Sequence, residues 1–377
     1  MDWLDRWAAG LLAPLAMWVL ASGLDDLILD AGAIYNRIAE WWRARKRRLP
    51  EPAEAPREKK IALLIPAWRE DAVIERMLER NLAAIEYTDY EVFVGVYPND
   101  LATQSRVMAC ERRDRRVRRV VCPHEGPTSK ADCLNSIYRG ILRYEEKAGA
   151  HFEILLHHDA EDVIHPRSLA WINRYTEQYD MVQVVVLPIE TPWWELTHGT
   201  YCDEFAESQL GKLPQRVRMG GFLPSCGVGT AYRRVAADRV AWNNGGRLFE
   251  PSCLTEDYRM GMELERMGCS QVLLDAGRLG RPGEWMATRE YFPRSLRGAV
   301  RQKARWVAGI ALQCWREFGW SPAGQWYWLW RDRKGLVGNP LTILANLLFV
   351  YGAAGWAWAE ARGERSEERR VGKECRL

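Results

Sequence analysis

Hydrophobic and polar positions fall into blocks of different period along this chain. Residues 8–24 carry no charge, and with Leu27, Ile28 and Leu29 the stretch reaches the roughly 20 residues that cross a bilayer as a helix. Residues 336–359 are uncharged again and long enough to span, despite Asn339, Pro340 and Asn346. Between these blocks the pattern shortens. Residues 61–65 form a continuous apolar run closed by Pro66, as expected of a strand buried on both faces. Helical spacing over 73–84 follows, then a strand over 91–96 that ends in Pro98-Asn99-Asp100. A helix over 104–113, a strand over 117–122, a helix over 130–144 and a strand over 152–156 running into Asp159 come next, with a further strand over 181–187. Such alternation predicts an α/β domain with a mixed, mainly parallel doubly wound sheet and a ligand site at the carboxyl ends of its strands. Asp100 and Asp159 both fall at such ends.

The blocks divide the chain into an N-terminal transmembrane helix (1–30), a basic juxtamembrane linker (31–60), an α/β domain (61–290), interfacial helices (291–334), a second transmembrane helix (335–360) and a polar tail (361–377). The prolines and alternating charges of 50–60 suit a linker. The tail lacks any pattern and resembles the translated adapter found at the end of a truncated reading frame, so no function is read from it. Arg43, Arg45, Lys46, Arg47 and Arg48 follow the first apolar block, and Arg331, Arg333 and Lys334 precede the second. By the positive-inside rule the domain between them lies in the cytosol. A cleaved signal peptide is the weaker reading, since the basic cluster follows the apolar run instead of preceding it.

Composition adds three points. A net charge of +3 gives no global reason to expect a nucleic-acid partner. The 19 Trp residues crowd toward the last quarter, where indoles suit a membrane interface. The nine cysteines are dispersed with no Cys-x-x-Cys pair, which favours reduced cytosolic thiols over disulfides or a zinc site.

Candidate chemistry sits in short motifs. Asp159-Ala160-Glu161-Asp162 places carboxylates on a tight turn, a set of hard oxygen ligands suited to Mg²⁺ or Mn²⁺. Its bland reading is an acid-capped strand end. His157 and His158 could point to a softer metal, but no third soft ligand has suitable spacing. Lys130 opens a helix behind Ser129, a sound anion site and equally an ordinary capped helix. The Gly-rich stretch 220–229 could bring backbone close to a bulky ligand. Thr255-Glu256-Asp257 precedes a helix expected over 260–267 and could simply cap it. Gln302-Lys303-Ala304-Arg305-Trp306 lies on a basic amphipathic helix beginning near Pro293, with Arg297, Arg301 and Arg305 at four-residue spacing.

The order of the Asp159, Asp257 and Gln302–Trp306 motifs resembles the processive, membrane-bound family 2 glycosyltransferases, relatives of cellulose and chitin synthases. Runs such as 96–100, 126–135, 254–258, 289–293 and 330–335 are similar to the inner-membrane subgroup of bacteriophage adsorption protein B. The resemblance implies a GT-A fold and transfer of a sugar, expected to be an N-acetylhexosamine, from a UDP-sugar to a growing surface polysaccharide on the cytosolic side of a bacterial inner membrane. Asp257 would be the catalytic base. Asp100, Lys130, Asp159 and Arg305 would bind the nucleotide donor. Gln302, Trp306 and Glu256 would bind the acceptor. The metal would sit on Asp159 and Glu161, where Glu replaces the family's second Asp, with Asp162 as the alternative. Single transfer to a lipid carrier and a non-catalytic scaffold or phage-receptor component are the rival functions. An outer-membrane export or receptor protein is the expected partner, and cyclic di-GMP would act only through a C-terminal domain missing here.

Overall fold

The computed structural model of the chain describes residues 3–44, 57–274 and 286–362. Residues 45–56 of the expected linker, with all of the basic cluster but Arg43, and the tail after Arg362 lie outside the described residues. The chain forms two units, one from Met1–Leu29 with Arg333–Leu377 and the other from Asp30–Asp332.

In the first unit, two helices are long and apolar enough to cross a membrane, Trp3–Asn36 and Gly335–Ala361. The first belongs to a longer helix, Trp3–Ala44, which runs past the expected boundary at residue 30. Within this unit Lys334 Nζ donates to Asp25 and Asp26, each at 3.1 Å. The Gly335–Ala361 helix buries none of its residues.

The second unit is built on a seven-stranded sheet. Its strands are β1 (Ile61–Pro66), β2 (Tyr90–Val96), β3 (Val117–Val121), β4 (Ile154–His157), β5 (Met181–Val184), β7 (Thr230–Arg233) and β8 (Gln271–Leu274). They lie in the order β3-β2-β1-β4-β7-β5-β8. Only β7 runs antiparallel to its neighbours β4 and β5. β6 (Val186–Pro188) and β9 (Thr288–Glu290) make a separate parallel pair.

The apolar runs have the physical cause the sequence suggested. In β1, Ile61, Leu63 and Ile65 enter one core, and Ala62 and Leu64 enter the other. β2 and β4 divide in the same way, Val92, Val94, Ile154 and Leu156 against Phe93 and Leu155. A strand covered on both faces needs an apolar residue at every position. The helices Ile74–Ala84 and Leu101–Arg113 cover one face, and Lys130–Ala148 and Arg234–Asn243 the other. The expected strand over 181–187 is in fact β5 and β6. At Val185 the chain changes partner, and the Val185 carbonyl accepts from Thr288 N at 2.9 Å.

Candidate active site

The carboxyl ends of β1, β2 and β4 open onto a cavity of about 300 Å³, lined in part by Trp68, Glu70, Tyr97, Thr128, Lys130, Asp159 and Glu161. Its rim is tied together by residues from separate motifs. The Asn99 amide donates to Gly126 O at 2.7 Å, and Gly126 N donates back to Asn99 Oδ1 at 2.8 Å. The Tyr97 and Thr128 hydroxyls are 2.7 Å apart. Asp100 caps the Leu101–Arg113 helix, accepting from Thr103 N at 3.3 Å and from Arg69 N at 2.6 Å. Its carboxylate therefore orders the turn after β1, where Arg69 takes a φ of 59°.

Lys130 begins the helix Lys130–Ala148, behind Ser129, whose hydroxyl accepts from Asp132 N at 3.2 Å. Its ammonium lies 2.6 and 2.8 Å from the two Asp159 oxygens. Burial opposes both charges, but the pair overrides it: Asp159 is held below the usual carboxylate range and Lys130 above the usual lysine range. Among the described residues Glu161, Glu256 and Glu290 have no ion pair of this closeness, and Lys130 acts on them only from farther away. Burial, then Asp159, Asp162 and Glu70, push Glu161 up to about 7. Burial and the adjacent Asp257 push Glu256 up to about 7, against Lys130 and Arg305. Glu290 at the end of β9 is raised by burial and by the acids of the 159–162 turn.

The two candidate second ligands differ in direction. Asp162 is enclosed, its Oδ2 at 2.7 Å from His158 Nδ1 and accepting from Asp159 N at 3.0 Å. Its carbonyl accepts from the Asn81 amide at 2.8 Å, and Ile164 N donates to the same Asn81 at 3.0 Å. Asp162 thus braces the turn. Burial pushes His158 down to about 3, so it serves as a neutral partner. Glu161 faces the cavity instead. Among the described residues no three His, Cys, Asp or Glu side chains form a ready-made metal cage. Two carboxylates facing a roomy cavity fit a Mg²⁺-type ion that takes its remaining oxygens from phosphate and water.

The helix after Thr255 begins earlier than expected. The helix is Glu256–Arg266, so both carboxylates occupy its first turn, where the helix dipole favours negative charge. Gly227 has a φ of 81°, and a Cβ there would lie 2.9 Å from Asp257 Oδ2. Only glycine lets this loop lie against the carboxylate. Gln183 fixes the loop, accepting from Cys226 N at 2.8 Å and from the Thr230 hydroxyl at 2.6 Å.

Gln302, Arg305 and Trp306 lie on the helix Leu296–Trp306. Arg305 is exposed, and its charge favours ionised Glu256. Gln302 Oε1 is buried with no hydrogen-bond partner among the described residues. Trp306 packs edge-on to Tyr201 at 6.3 Å and beside Phe205 at 6.2 Å, which makes it part of an aromatic wall. A π-helical stretch, Val307–Gln313, follows. Its last residue accepts from Leu254 N at 2.8 Å and donates to Ser252 O at 3.2 Å. The Gln302–Trp306 motif is thereby latched to the segment that carries Asp257.

Several contributors are invisible to local pattern. Glu70 and Glu290 reach the acidic cluster from distant sequence. Asp332 pairs with Arg216 at 2.7 and 3.0 Å and accepts from the Tyr258 hydroxyl at 2.7 Å. The run 330–335 and the run 254–258 were legible as separate motifs, and this hydrogen bond joins them.

A GT-A sheet with paired acids at its carboxyl edge defines the class. The family model "Glycosyltransferase like family 2" matches residues 56–309, and the chain belongs to that family. It is 36% identical over 382 residues to the bacteriophage adsorption protein B of Escherichia coli K12, and equally to the bacteriophage N4 adsorption protein B of E. coli O157:H7. The alignments cover 93% of this chain and 50% of each relative, so the chain spans about half the length of the curated relatives it matches. Among solved structures, a mannosyltransferase from Pyrobaculum calidifontis in complex with GDP-Man and Mn²⁺ superposes with a TM-score of 0.53 at 16% identity. That match covers 87% of this chain and 90% of the mannosyltransferase, and it shows the shared fold.

Proposed function

We propose that the chain is the catalytic part of a membrane-anchored, inverting glycosyltransferase that moves a sugar from a UDP-sugar to a growing surface polysaccharide. The observation that carries this reading is the cavity at the ends of β1, β2 and β4. There Lys130 and the acids Glu70, Asp159 and Glu161 face the space, and Asp257, which lies against Gly227, acts on the charge of Lys130. The donor nucleotide would occupy that cavity, with Lys130 and Arg305 toward its diphosphate. Mg²⁺ or Mn²⁺ held by Asp159 and Glu161 would offset the charge of the leaving UDP. Asp257 would take the proton of the acceptor hydroxyl as that oxygen attacks the anomeric carbon from the face opposite UDP. Gln302, Trp306 and Glu256 would hold the acceptor, with Trp306 offering the exposed edge of an aromatic wall rather than a free platform.

Several features support the remaining parts of the reading. Two helices of membrane-spanning length flank the domain, which suits a cytosolic domain at the bacterial inner membrane. The relatives are named for phage adsorption, and a surface glycan or an outer-membrane partner would connect with that name. An N-acetylhexosamine is the sugar the sequence resemblance favours.

The test uses membranes containing the chain, a panel of UDP-sugars and either divalent ion. Wild type should release UDP from at least one donor, with an N-acetylhexosamine donor preferred, and yield a product that lengthens with time. Release at the same rate by Asp257→Asn for every donor would overturn the catalytic reading. A product of one added sugar on lipid would replace polymerisation by single transfer.

A further inference from the structure

Asn135 lies on the buried side of the Lys130–Ala148 helix, the element that begins with the cavity lysine. Its amide donates to Phe249 O at 2.7 Å, and Phe249 N donates to Asn135 Oδ1 at 2.9 Å. Both residues are buried. Phe249 belongs to no strand or helix, so its peptide groups have no ladder to pair with. A carboxamide offers a donor and an acceptor in one plane, which matches the C=O and N–H of a single residue. The Asn135 side chain thus takes the place of a neighbouring strand.

This clamp closes a ring of contacts around the site. The Phe249 ring tilts against His157 with centroids 6.1 Å apart, and His157 Nε2 lies 3.6 Å from Asp159 Oδ1. Asp159 holds Lys130, and Lys130 shares its helix with Asn135. Beyond Phe249 the chain turns directly toward Asp257. Cys253 N donates to Glu250 O at 3.1 Å, and the Ser252 hydroxyl donates to Glu250 Oε1 at 2.9 Å. Gln313 holds Ser252 and Leu254, and the helix Glu256–Arg266 follows. A segment restrained at so many points passes a shift of Phe249 on to Asp257.

We infer that Asn135 is a positioning residue, which holds the segment carrying Asp257 at a fixed spacing from the Lys130–Asp159 pair. This inference rests on the transferase reading of the same site. Proton transfer requires the base within hydrogen-bond reach of the acceptor, whereas donor binding draws on Lys130 and Asp159, which stay in place without the clamp. Loss of Asn135 therefore slows chemistry and spares donor affinity. Pinning a loop for stability alone is the rival role, and the molecule holds the comparison that separates the two. Asn173, on the helix Ser168–Tyr175, is also buried and also clamps main chain twice, donating to Arg57 O at 3.0 Å and accepting from Lys59 N at 3.3 Å. That clamp precedes β1, and none of its three residues lines the cavity.

The experiment compares Asn135→Leu, Asn135→Asp and Asn173→Leu with wild type, each as the full chain in nanodiscs with Mn²⁺. Melting temperature, UDP affinity and the number of UDP sites are measured, and kcat and KM for UDP release are expressed per UDP-binding site. Asn135→Leu should lower kcat roughly 10–10²-fold, the scale of a group displaced by about an ångström. UDP affinity and the donor KM should stay at wild-type values. Asn135→Asp keeps the acceptor for Phe249 N and loses the donor, so its kcat should fall less. Asn173→Leu should lower the melting temperature and leave kcat unchanged. Wild-type kcat in Asn135→Leu, a parallel loss of kcat and UDP affinity, or an equal loss of kcat in Asn173→Leu would overturn the proposal. Should Asn135→Leu not fold, Asn135→Asp decides: wild-type kcat at a lowered melting temperature overturns the positioning role, and a lowered kcat at unchanged UDP affinity supports it. No UDP release by wild type from any donor defeats the transferase reading, whereas release that Asn135→Leu matches defeats the positioning role alone.

Discussion

The two ends of the sheet treat charge in opposite ways. At the amino ends, Lys60 pairs with Asp89 at 3.2 Å and Glu91 at 3.1 Å, Arg118 pairs with Glu91 at 2.8 Å, and Arg234 with Glu145 and Asp238 at 2.6 Å. Arg233 and Arg57 find Asp180 and Glu153 at 3.3 and 3.4 Å. Each cation there has an acid in reach. At the carboxyl ends Glu70, Glu161, Glu256 and Glu290 gather around Lys130, whose ammonium is already committed to Asp159. The same fold that could neutralise charge at one end leaves it uncompensated at the other. Such an imbalance is stability set aside for a ligand that brings positive charge or takes a proton.

Substitutions can break that contrast, and Asp257→Asn should have the largest effect. It keeps the shape beside Gly227 but removes the base, and turnover should fall by roughly 10²–10⁴, the usual worth of a positioned general base. Melting temperature should stay close to wild type. A comparable fall in stability would mean that Asp257 is structural.

Glu161→Gln comes next. It should weaken the stimulation of activity by Mn²⁺ or Mg²⁺ by at least tenfold, while Asp162→Asn should chiefly lower the melting temperature. Asp162 braces the turn through His158, the Asp159 amide and Asn81, and loss of such a buried partner costs about 1–3 kcal/mol. Reversed results would exchange the two roles.

The raised acids also fix the sign of a pH effect. Glu161 and Glu256 titrate near 7 when folded, against an ordinary value of 4.5. The folded state therefore binds more protons than the unfolded chain between these values, and stability falls as pH rises from about 4.5 to about 7. A divalent ion bound with UDP should offset this loss. The rise in melting temperature on adding Mn²⁺ and UDP should be larger at pH 8 than at pH 5. An equal rise at both pH values would mean that Glu161 does not meet the ion.

At the compensated end, Lys60→Met should change little. Its ion pairs are partly open to solvent, and such pairs contribute about 0–1 kcal/mol. Turnover should match wild type. A loss approaching that of Asp257→Asn would erase the difference between the ends.

Much of this architecture was legible in the sequence for a physical reason. Strands buried on both faces must be apolar throughout, so β1, β2 and β4 stood out as runs, and the chemistry followed where they ended. Thr230–Arg233 is too short to show a period, and its antiparallel place between β4 and β5 depends on partners far away in sequence. The split at Val185 is likewise a change of neighbour, not of composition. In the site, Asp159, Lys130 and Asp257 were readable because each follows a local signal. Glu70 and Glu290 were not, since nothing near them marks an approach to the Asp159 turn. Asp100 was readable from its place at a strand end, but not that each of its oxygens accepts one amide, from Thr103 and from Arg69.

The most direct test of the central claim is UDP release measured side by side for wild type, Asp257→Asn and Lys60→Met in the same membranes with Mn²⁺. Wild type and Lys60→Met should turn over a UDP-sugar at similar rates, and Asp257→Asn should fall to background while still binding UDP. Release by Asp257→Asn at the wild-type rate, or no release by wild type from any donor, would contradict the account.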